Sequence, residues 1–146
     1  MTAVVIDASM ALAWCFRDEA SSEADAVLIA LEGKTLLVPA IWALEVANAI
    51  LTGQRAKRLG QREVNTFTML LQNLAIVQDV LPITECMARV LPLAAKHNLS
   101  TYDAAYLELS LRRGAALATL DRNLQGAALR TRVPIFRGAA GHDRRP

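Results

Sequence analysis

The chain has 146 residues, of which 53% are hydrophobic, and its formal net charge is only +2. This length suits a single domain whose core needs no disulfide or metal to fold. The apolar content excludes a disordered chain. The cysteines, Cys15 and Cys86, both lie in apolar helical patterns, which favours buried thiols over a disulfide framework. Since no signal-like or bilayer-length apolar segment stands out, we expect a cytoplasmic protein that does not associate with membranes.

Short apolar strands alternate with helical patterns along the chain. The strands are predicted at residues 3–6, 35–38, 75–80, 116–120 and 133–136, and the helices at 9–16, 22–32, 41–52, 60–74, 83–97 and 100–113. Gly33, Gly53 and Gly114 are predicted to follow helix ends, and Pro92 to kink or split its helix. The last strand is expected at a sheet edge, because Pro134 cannot donate a ladder hydrogen bond.

This alternation predicts the fold class. Parallel strands need crossover connections of helix length, so strands separated by helices indicate a parallel sheet between helical layers. We expect one three-layer α/β/α domain with a five-stranded parallel sheet over residues 1–137. Residues 138–146 are expected to form a flexible C-terminal tail.

Basic residues are unevenly distributed. One group comprises Arg55, Lys57, Arg58 and Arg62, and the segment from Arg122 to Pro146 carries six arginines against the single acid Asp143. This asymmetry suits a polyanionic partner such as nucleic acid, although a solvated basic surface explains it equally well.

Two aspartates directly follow apolar strands. Asp7 comes after the first strand and Asp121 after the fourth, and Ser9 and Thr119 stand two residues from them. The carboxyl ends of parallel strands form the ligand crevice of open α/β sheets. The alternative is that each aspartate only caps the helix that follows it.

Two further acids lie in helical segments. The helix at 41–52 is apolar nearly all round and is expected to be largely buried, and its polar residues Glu45, Asn48 and Thr52 share one face. Asp103 lies in the first turn of a helix that begins with the capping pattern Ser100-Thr101-Tyr102-Asp103. An exposed polar stripe would explain Glu45, and a capping role would explain Asp103.

Taken together, the four acids predict a cation site. Carboxylates that lie close together raise one another's pKa unless a cation neutralises them, and carboxylate oxygens suit hard divalent ions. The two histidines and two cysteines lack the spacing of a zinc site. Mg²⁺ or Mn²⁺ is therefore the expected cofactor.

The sequence resembles the PIN-domain family and, within it, the VapC-type toxins of bacterial toxin-antitoxin modules. The resemblance spans nearly the whole chain, through segments 4–9, 39–48, 99–107 and 117–124. It implies a catalytic quartet, with hydroxyl groups and an amide supporting it: the quartet is Asp7, Glu45, Asp103 and Asp121, and the supporting residues are Ser9, Asn48 and Thr119. Many members carry a further acid where this chain has Asn123. The resemblance therefore does not decide whether the site binds one metal ion or two.

The resemblance implies a metal-dependent endoribonuclease that acts as the toxin of a type II toxin-antitoxin system, forms a homodimer and is silenced by a cognate antitoxin. Asp7, Asp103 and Asp121 would bind the metal, and Glu45 would bind metal or orient the attacking water. RNA phosphates would contact basic residues near the site, namely Arg55, Lys57, Arg58, Arg62 and Arg122.

Two other functions fit the same acids. An Mg²⁺-dependent phosphatase or phosphotransferase that forms an aspartyl-phosphate also uses a strand-end aspartate, although residue 9 is Ser9 where such enzymes usually place a second aspartate. A non-catalytic nucleic-acid-binding scaffold of the same fold would use the acids as helix caps.

Overall fold

The computed structural model describes residues 2–138, which form four parallel strands and seven α-helices. In chain order these are β1 (Ala3–Ile6), α1 (Ala8–Cys15), α2 (Ser22–Ala30), β2 (Thr35–Pro39), α3 (Ile41–Arg55), α4 (Gln61–Gln72), β3 (Ala75–Asp79), α5 (Ile83–His97), α6 (Thr101–Arg113), β4 (Ala116–Ala118) and α7 (Arg122–Arg130). The α/β class and the parallel sheet predicted from the sequence are confirmed.

The sheet has the strand order β3-β2-β1-β4. In the centre, Val5 lies opposite Leu37 on one side and Leu117 on the other. Val4, Val5 and Ile6 are all fully buried, so both faces of β1 are covered. This burial is why β1 is continuously apolar rather than alternating.

Two groups of helices provide the covering layers. α6 packs against β1, β2 and β4, with α5 and α7 beside it, whereas α1 packs against α2, α3 and α4. Met10 of α1, Val27 of α2 and Phe67 of α4 belong to the same core cluster as the strands. Since β1 is buried on both faces, the α1 group covers the face that α6 leaves open.

The prediction of a fifth strand is wrong. In the described residues, segment 133–136 forms only an isolated parallel bridge between Ile135 and Leu117. Leu117 donates its N–H to the Pro134 carbonyl, and Phe136 donates to the Leu117 carbonyl. The ladder does not extend, because Pro134 has no N–H and β4 is only three residues long.

The predicted helix end at Gly53 is also wrong, and Pro92 does not split its helix. α3 continues through Gly53 to Arg55, and the left-handed residue that follows it is Lys57, with φ of 58°. Gly53 is buried, and a Cβ there would lie 2.5 Å from Phe16 Cε1, so this glycine permits close packing rather than ending the helix. α5 runs from Ile83 to His97 as one helix with Pro92 inside it.

Cys15 is buried as expected, but Cys86 is exposed on α5. The expectation for Cys86 failed because the apolar pattern of α5 includes a face that no described element covers. No helix in the described part of the chain is long and apolar enough to cross a membrane.

The end of the described chain is held against α2. Arg137 pairs with Glu23 at 2.9 Å, and Gly138 is buried where a Cβ would overlap the backbone of Ala26. Of the predicted tail, residues 139–146 lie outside the described residues.

A cluster of charged side chains ties the end of β3 to α6. Arg112 contacts both carboxylate oxygens of Asp79, at 2.6 and 3.2 Å, and both of Glu108, each at 3.0 Å. Arg113 adds a 3.0 Å contact to Asp79. The Asp79 and Glu108 side chains are nearly inaccessible, so Arg112 neutralises two buried carboxylates at once.

Candidate active site

The strand order defines where a ligand crevice should lie. From β1 the chain moves to β2 and β3 on one side and later returns to β4 on the other, so the order reverses between β1 and β4. Ligands of open α/β sheets bind at the carboxyl ends of the strands at such a reversal. Asp7 follows β1 there, and Thr119 and Asp121 follow β4. Both aspartates thus lie at the crevice where the sequence predicted them.

Asp7 is buried, with 4% of its surface exposed, and is held by several donors. Its Oδ1 accepts from the Ser9 hydroxyl at 2.8 Å and from the Met10 N–H at 3.0 Å, and its Oδ2 accepts from the hydroxyls of Thr119 and Ser9. The bond from Met10 is a helix cap, so the capping interpretation of Asp7 is also confirmed. Burial raises the pKa of Asp7 from 3.8 to about 6, against the opposing effect of these hydrogen bonds.

The hydroxyls of Ser9 and Thr119 link the two strand ends. Ser9 Oγ accepts from the Leu120 N–H at 3.0 Å, and Thr119 Oγ1 accepts from the Asp121 N–H at 3.0 Å. Each hydroxyl therefore binds Asp7 on one side and the backbone after β4 on the other. This arrangement fixes the direction of the Asp7 carboxylate.

Asp121 caps α7 through one oxygen only. Its Oδ1 accepts from the Leu124 N–H at 2.9 Å, while Oδ2 accepts no hydrogen bond within residues 2–138. The negative charge of Asp121 contributes to the raised pKa of Asp7. One carboxylate oxygen of Asp121 thus stays available for a ligand beside Asp7.

Asp103 lies in the first turn of α6, where Ser100 caps the helix by accepting from the Asp103 N–H at 3.0 Å. The predicted cap is therefore Ser100. Partial burial raises the pKa of Asp103 and the charge of Asp121 adds to this effect, while a side-chain hydrogen bond with Ser100 opposes it. A half-buried carboxylate next to another acid is a suitable ligand for a cation.

Glu45 is fixed by a residue that sequence reasoning missed. The buried Tyr106 of α6 donates its hydroxyl to Glu45 Oε1 at 2.5 Å. Partial burial raises the pKa of Glu45, the Tyr106 hydrogen bond lowers it, and the charge of Asp103 raises it. A signal for Tyr106 was present in the sequence, because its three-residue spacing from Asp103 places both residues on one face of α6.

The four acids thus form a series of electrostatic neighbours: Asp7 with Asp121, Asp121 with Asp103, and Asp103 with Glu45. They do not form a closed ligand cage, because no three Asp, Glu, His or Cys side chains among residues 2–138 are placed to hold one metal ion. The donors still fit a hard divalent ion in type, since all are oxygens and three of the carboxyl pKa values are raised.

The environment of α3 differs from the prediction. Only Trp42, Val46 and Gly53 of this helix are buried, and Leu44 is 68% exposed. Glu45 is half-buried, whereas Asn48 and Thr52 lie on the exposed surface. The uniform apolar pattern did not reveal which face the neighbouring elements would cover, so the expectation of a largely buried helix was wrong.

The predicted RNA-binding residues lie in two separate places. Arg122 is exposed directly after Asp121. Arg55, Lys57, Arg58 and Arg62 lie at the far end of α3 and the start of α4, and Arg55 is about 15 Å from Glu45 along the helix axis. Arg58 pairs with Asp18 and Glu19 and stacks over Phe16. Its cation is therefore already neutralised within the fold.

The PIN-domain family model matches residues 4–129. The chain is 34% identical over 122 residues to Ribonuclease VapC3 of Pyrobaculum aerophilum, an alignment that covers 83% of this chain and 91% of that protein. The crystal structure of PAE2754 from Pyrobaculum aerophilum matches with a TM-score of 0.63 and 24% identity, covering 86% of this chain and 79% of that one. That of VapC20 from Mycobacterium tuberculosis, a toxin that cleaves the sarcin-ricin loop, matches with a TM-score of 0.62 and 14% identity, covering 85% and 94%.

The fold and the strand-end acids define an α/β protein with a crevice at the carboxyl ends of its strands. With the family match over most of the chain, the protein belongs to the PIN-domain family. Its relatives include a VapC ribonuclease, and its fold is shared with a VapC toxin. The resemblance inferred from the sequence is thereby confirmed.

Proposed function

We propose that this protein is a divalent-metal-dependent endoribonuclease that acts as the toxin of a type II toxin-antitoxin system. The observation that carries the proposal is the buried Asp7, which lies beside Asp121 at the strand-order reversal and has a pKa raised to about 6. The 34% identity to a VapC ribonuclease supports RNA as the substrate.

In this proposal Asp7, Asp103 and Asp121 supply the carboxylates for the ion, and because they are not placed as a set of three around one point, they would have to draw closer together when it binds. Mg²⁺ or Mn²⁺ there would neutralise charge on the scissile phosphate and favour ionisation of the attacking water. Ser9 and Thr119 keep the Asp7 carboxylate oriented by donating to its two oxygens. Asn48 is proposed only as a group at the outer rim of the site, since it is exposed.

Glu45 is proposed to handle a proton. Tyr106 occupies its Oε1, which leaves Oε2 to accept a hydrogen bond from the attacking water. The raised pKa of Glu45 makes it a stronger proton acceptor than an exposed carboxylate. Tyr106 itself acts as a positioning residue, because its own pKa is raised by burial and it stays protonated.

The first test is cation-dependent cleavage. We expect the purified chain, free of antitoxin, to cut structured RNAs in Mg²⁺ or Mn²⁺ and not in EDTA, with fragments resolved by gel electrophoresis. Cleavage that persists in EDTA would contradict the metal requirement. A chain that leaves every RNA intact in both cations would contradict the nuclease proposal.

The alternative of an aspartyl-phosphate enzyme is less well supported. Such enzymes usually place a second aspartate two residues after the first as acid/base, whereas this chain has Ser9 there, whose hydroxyl donates to Asp7. Acid-stable labelling of Asp7 by a phosphoryl donor would favour that alternative. The scaffold alternative predicts neither cleavage nor a melting shift with added cation.

The proposal includes a second copy of the chain and an antitoxin as protein partners. Support for the second copy comes from a row of exposed apolar side chains at i, i+4 and i+8 on α5: Ile83, Met87 and Leu91 are 81%, 58% and 52% exposed. Exposed apolar groups of this kind mark protein contacts. We expect light scattering to give twice the chain mass of 15.9 kDa. Met87→Glu should shift that mass towards the monomer, whereas the exposed α4 variant Met69→Glu should not.

A further inference from the structure

A polar groove lies between the carboxyl end of α5 and the outer face of α7. Its volume is about 320 Å³, and it is lined by His97, Asn98, Arg122, Asn123, Gly126 and Arg130. We call it the α5–α7 groove. None of the four acids lines the groove, but Arg122 directly follows Asp121, so one end of the groove begins at the next residue of the same helix start. Arg130 lies about 12 Å further along the helix axis.

The two arginines of the groove are not neutralised within the fold. Arg58, Arg112, Arg113 and Arg137 each pair with a carboxylate, but neither Arg122 nor Arg130 forms an ion pair within residues 2–138. Two unpaired cations lining one groove attract an anion.

The Arg130 side chain makes one long hydrogen bond within the described residues. Its Nε donates to His97 Nδ1 at 3.4 Å, which leaves both terminal nitrogens for a ligand. A Cβ at Gly126 would lie 3.3 Å from Arg130 Nη1, so the absence of a side chain there lets the guanidinium lie close to the helix.

Two residues of the groove are unfavourable for α7 itself. A cation in the first turn of a helix, as at Arg122, opposes the helix dipole. Gly126 in the middle of the helix lowers helix stability relative to alanine. Local choices that disfavour the fold are expected where a residue serves function.

We propose that the α5–α7 groove binds the sugar-phosphate backbone of the RNA strand next to the scissile phosphate. This rests on the proposed ribonuclease function and adds His97, Gly126 and Arg130 to the substrate site. In this arrangement α7 contributes Asp121 for the cation and two arginines for neighbouring phosphates. The basic group around Arg55 and Arg62, at the far end of α3, is then not the main RNA contact.

The test measures RNA affinity without cleavage. The Asp7→Asn variant serves as the background, so that bound RNA is not cut. In Mg²⁺, fluorescence anisotropy gives the dissociation constant of a labelled single-stranded RNA at salt concentrations from roughly 50 to 300 mM, where phosphate contacts dominate the affinity. Arg122→Gln and Arg130→Gln should each raise this dissociation constant about fourfold near 0.15 M salt, and the double variant should raise it about 15-fold. Each single change should lower by about 0.7 the slope of the logarithm of the affinity against the logarithm of the salt concentration.

Control variants separate the groove from general charge. Arg17→Gln removes an exposed arginine that has no ion pair among the described residues and lies beyond the far end of α1, so affinity should stay unchanged. Gly126→Gln should fill the groove floor, and it should weaken RNA binding while keeping or raising the melting temperature. A purely structural role of Gly126 would instead lower the melting temperature.

The outcomes are distinguishable from those of the nuclease proposal. The groove proposal is overturned if the Arg122 and Arg130 variants keep wild-type affinity and salt slope, or if only Arg55→Gln and Arg62→Gln weaken binding. Metal-dependent cleavage by the wild-type chain would still stand in that case. Conversely, loss of affinity in the groove variants without any cleavage by the wild-type chain would support the groove and contradict the nuclease.

Discussion

Asp7→Asn should abolish RNA cleavage while making the metal-free fold more stable at pH 7. The substitution keeps the shape of the side chain but removes a proposed metal ligand, so activity should fall at least ~100-fold. Burial holds the Asp7 carboxylate at a pKa of about 6 instead of 3.8, and a pKa difference of one corresponds to ~1.4 kcal/mol. Ionised Asp7 thus costs the fold about 3 kcal/mol at pH 7. Since asparagine retains only some of the hydrogen bonds, we expect a net gain of ~1–2 kcal/mol in urea unfolding.

The pH dependence of stability tests whether burial of the Asp7 carboxylate is the cause of this gain. Because the folded chain holds a proton on Asp7 that the unfolded chain releases, the unfolding free energy of the metal-free protein should fall as pH rises from 3.8 to about 6. Asp7→Asn should show a smaller fall, because only Asp103 and Glu45, whose pKa values are also raised, still contribute to it. Added Mg²⁺ should raise the melting temperature of the wild-type chain and not that of the variant. Asp25→Asn, an exposed change on α2, should match the wild type throughout. Full cleavage by Asp7→Asn would refute the assignment of Asp7.

The second large effect is expected at Arg112. Replacing it with methionine leaves the nearly inaccessible carboxylates of Asp79 and Glu108 without their shared cation. Loss of one partner from a buried ion pair typically costs 3–5 kcal/mol, and we expect about 3 kcal/mol here because Arg113 still contacts Asp79. Chemical denaturation should show this loss, and the melting temperature should fall by roughly 10 °C.

Arg113→Met is the matched control. The Arg113 side chain is 46% exposed and makes one contact to Asp79, so its loss should cost less than about 1 kcal/mol. The hydrogen bonds from Arg112 hold the pKa of Asp79 below its ordinary 3.8. The stability that Asp79 contributes is therefore complete above pH 3.8 and is lost as pH falls through its lower folded pKa. Arg112→Met should show a shallower acid dependence, and equal losses in the two variants would contradict the buried-pair interpretation.

The strand-end aspartates could be predicted because they depend on local signals. An apolar run followed by an acid places Asp7 and Asp121 at the carboxyl ends of strands wherever the sheet is parallel. Their capping role and their place at the crevice are not exclusive alternatives. In the structure one oxygen of Asp121 caps α7, while the other is unbonded among the described residues.

Other features depended on contacts between distant elements. The hydrogen bond from Tyr106 to Glu45 joins residues 61 positions apart, and neither residue signals the other in the sequence. The neighbouring elements determine which face of α3 is exposed, and Leu44 lies on that face. The spacing of apolar residues along α3 does not indicate this face. The missing fifth strand followed from the shortness of β4 next to Pro134.

The position of α7 links two chemical tasks to one piece of backbone. Asp121 starts this helix, and the arginines of the α5–α7 groove lie on its first and last turns. A local opening event that unwinds α7 would remove an acid and two cations together, without unfolding the sheet. Amide hydrogen exchange of the nine residues from Arg122 to Arg130 would therefore report how often the molecule visits a conformation unable to act on nucleic acid.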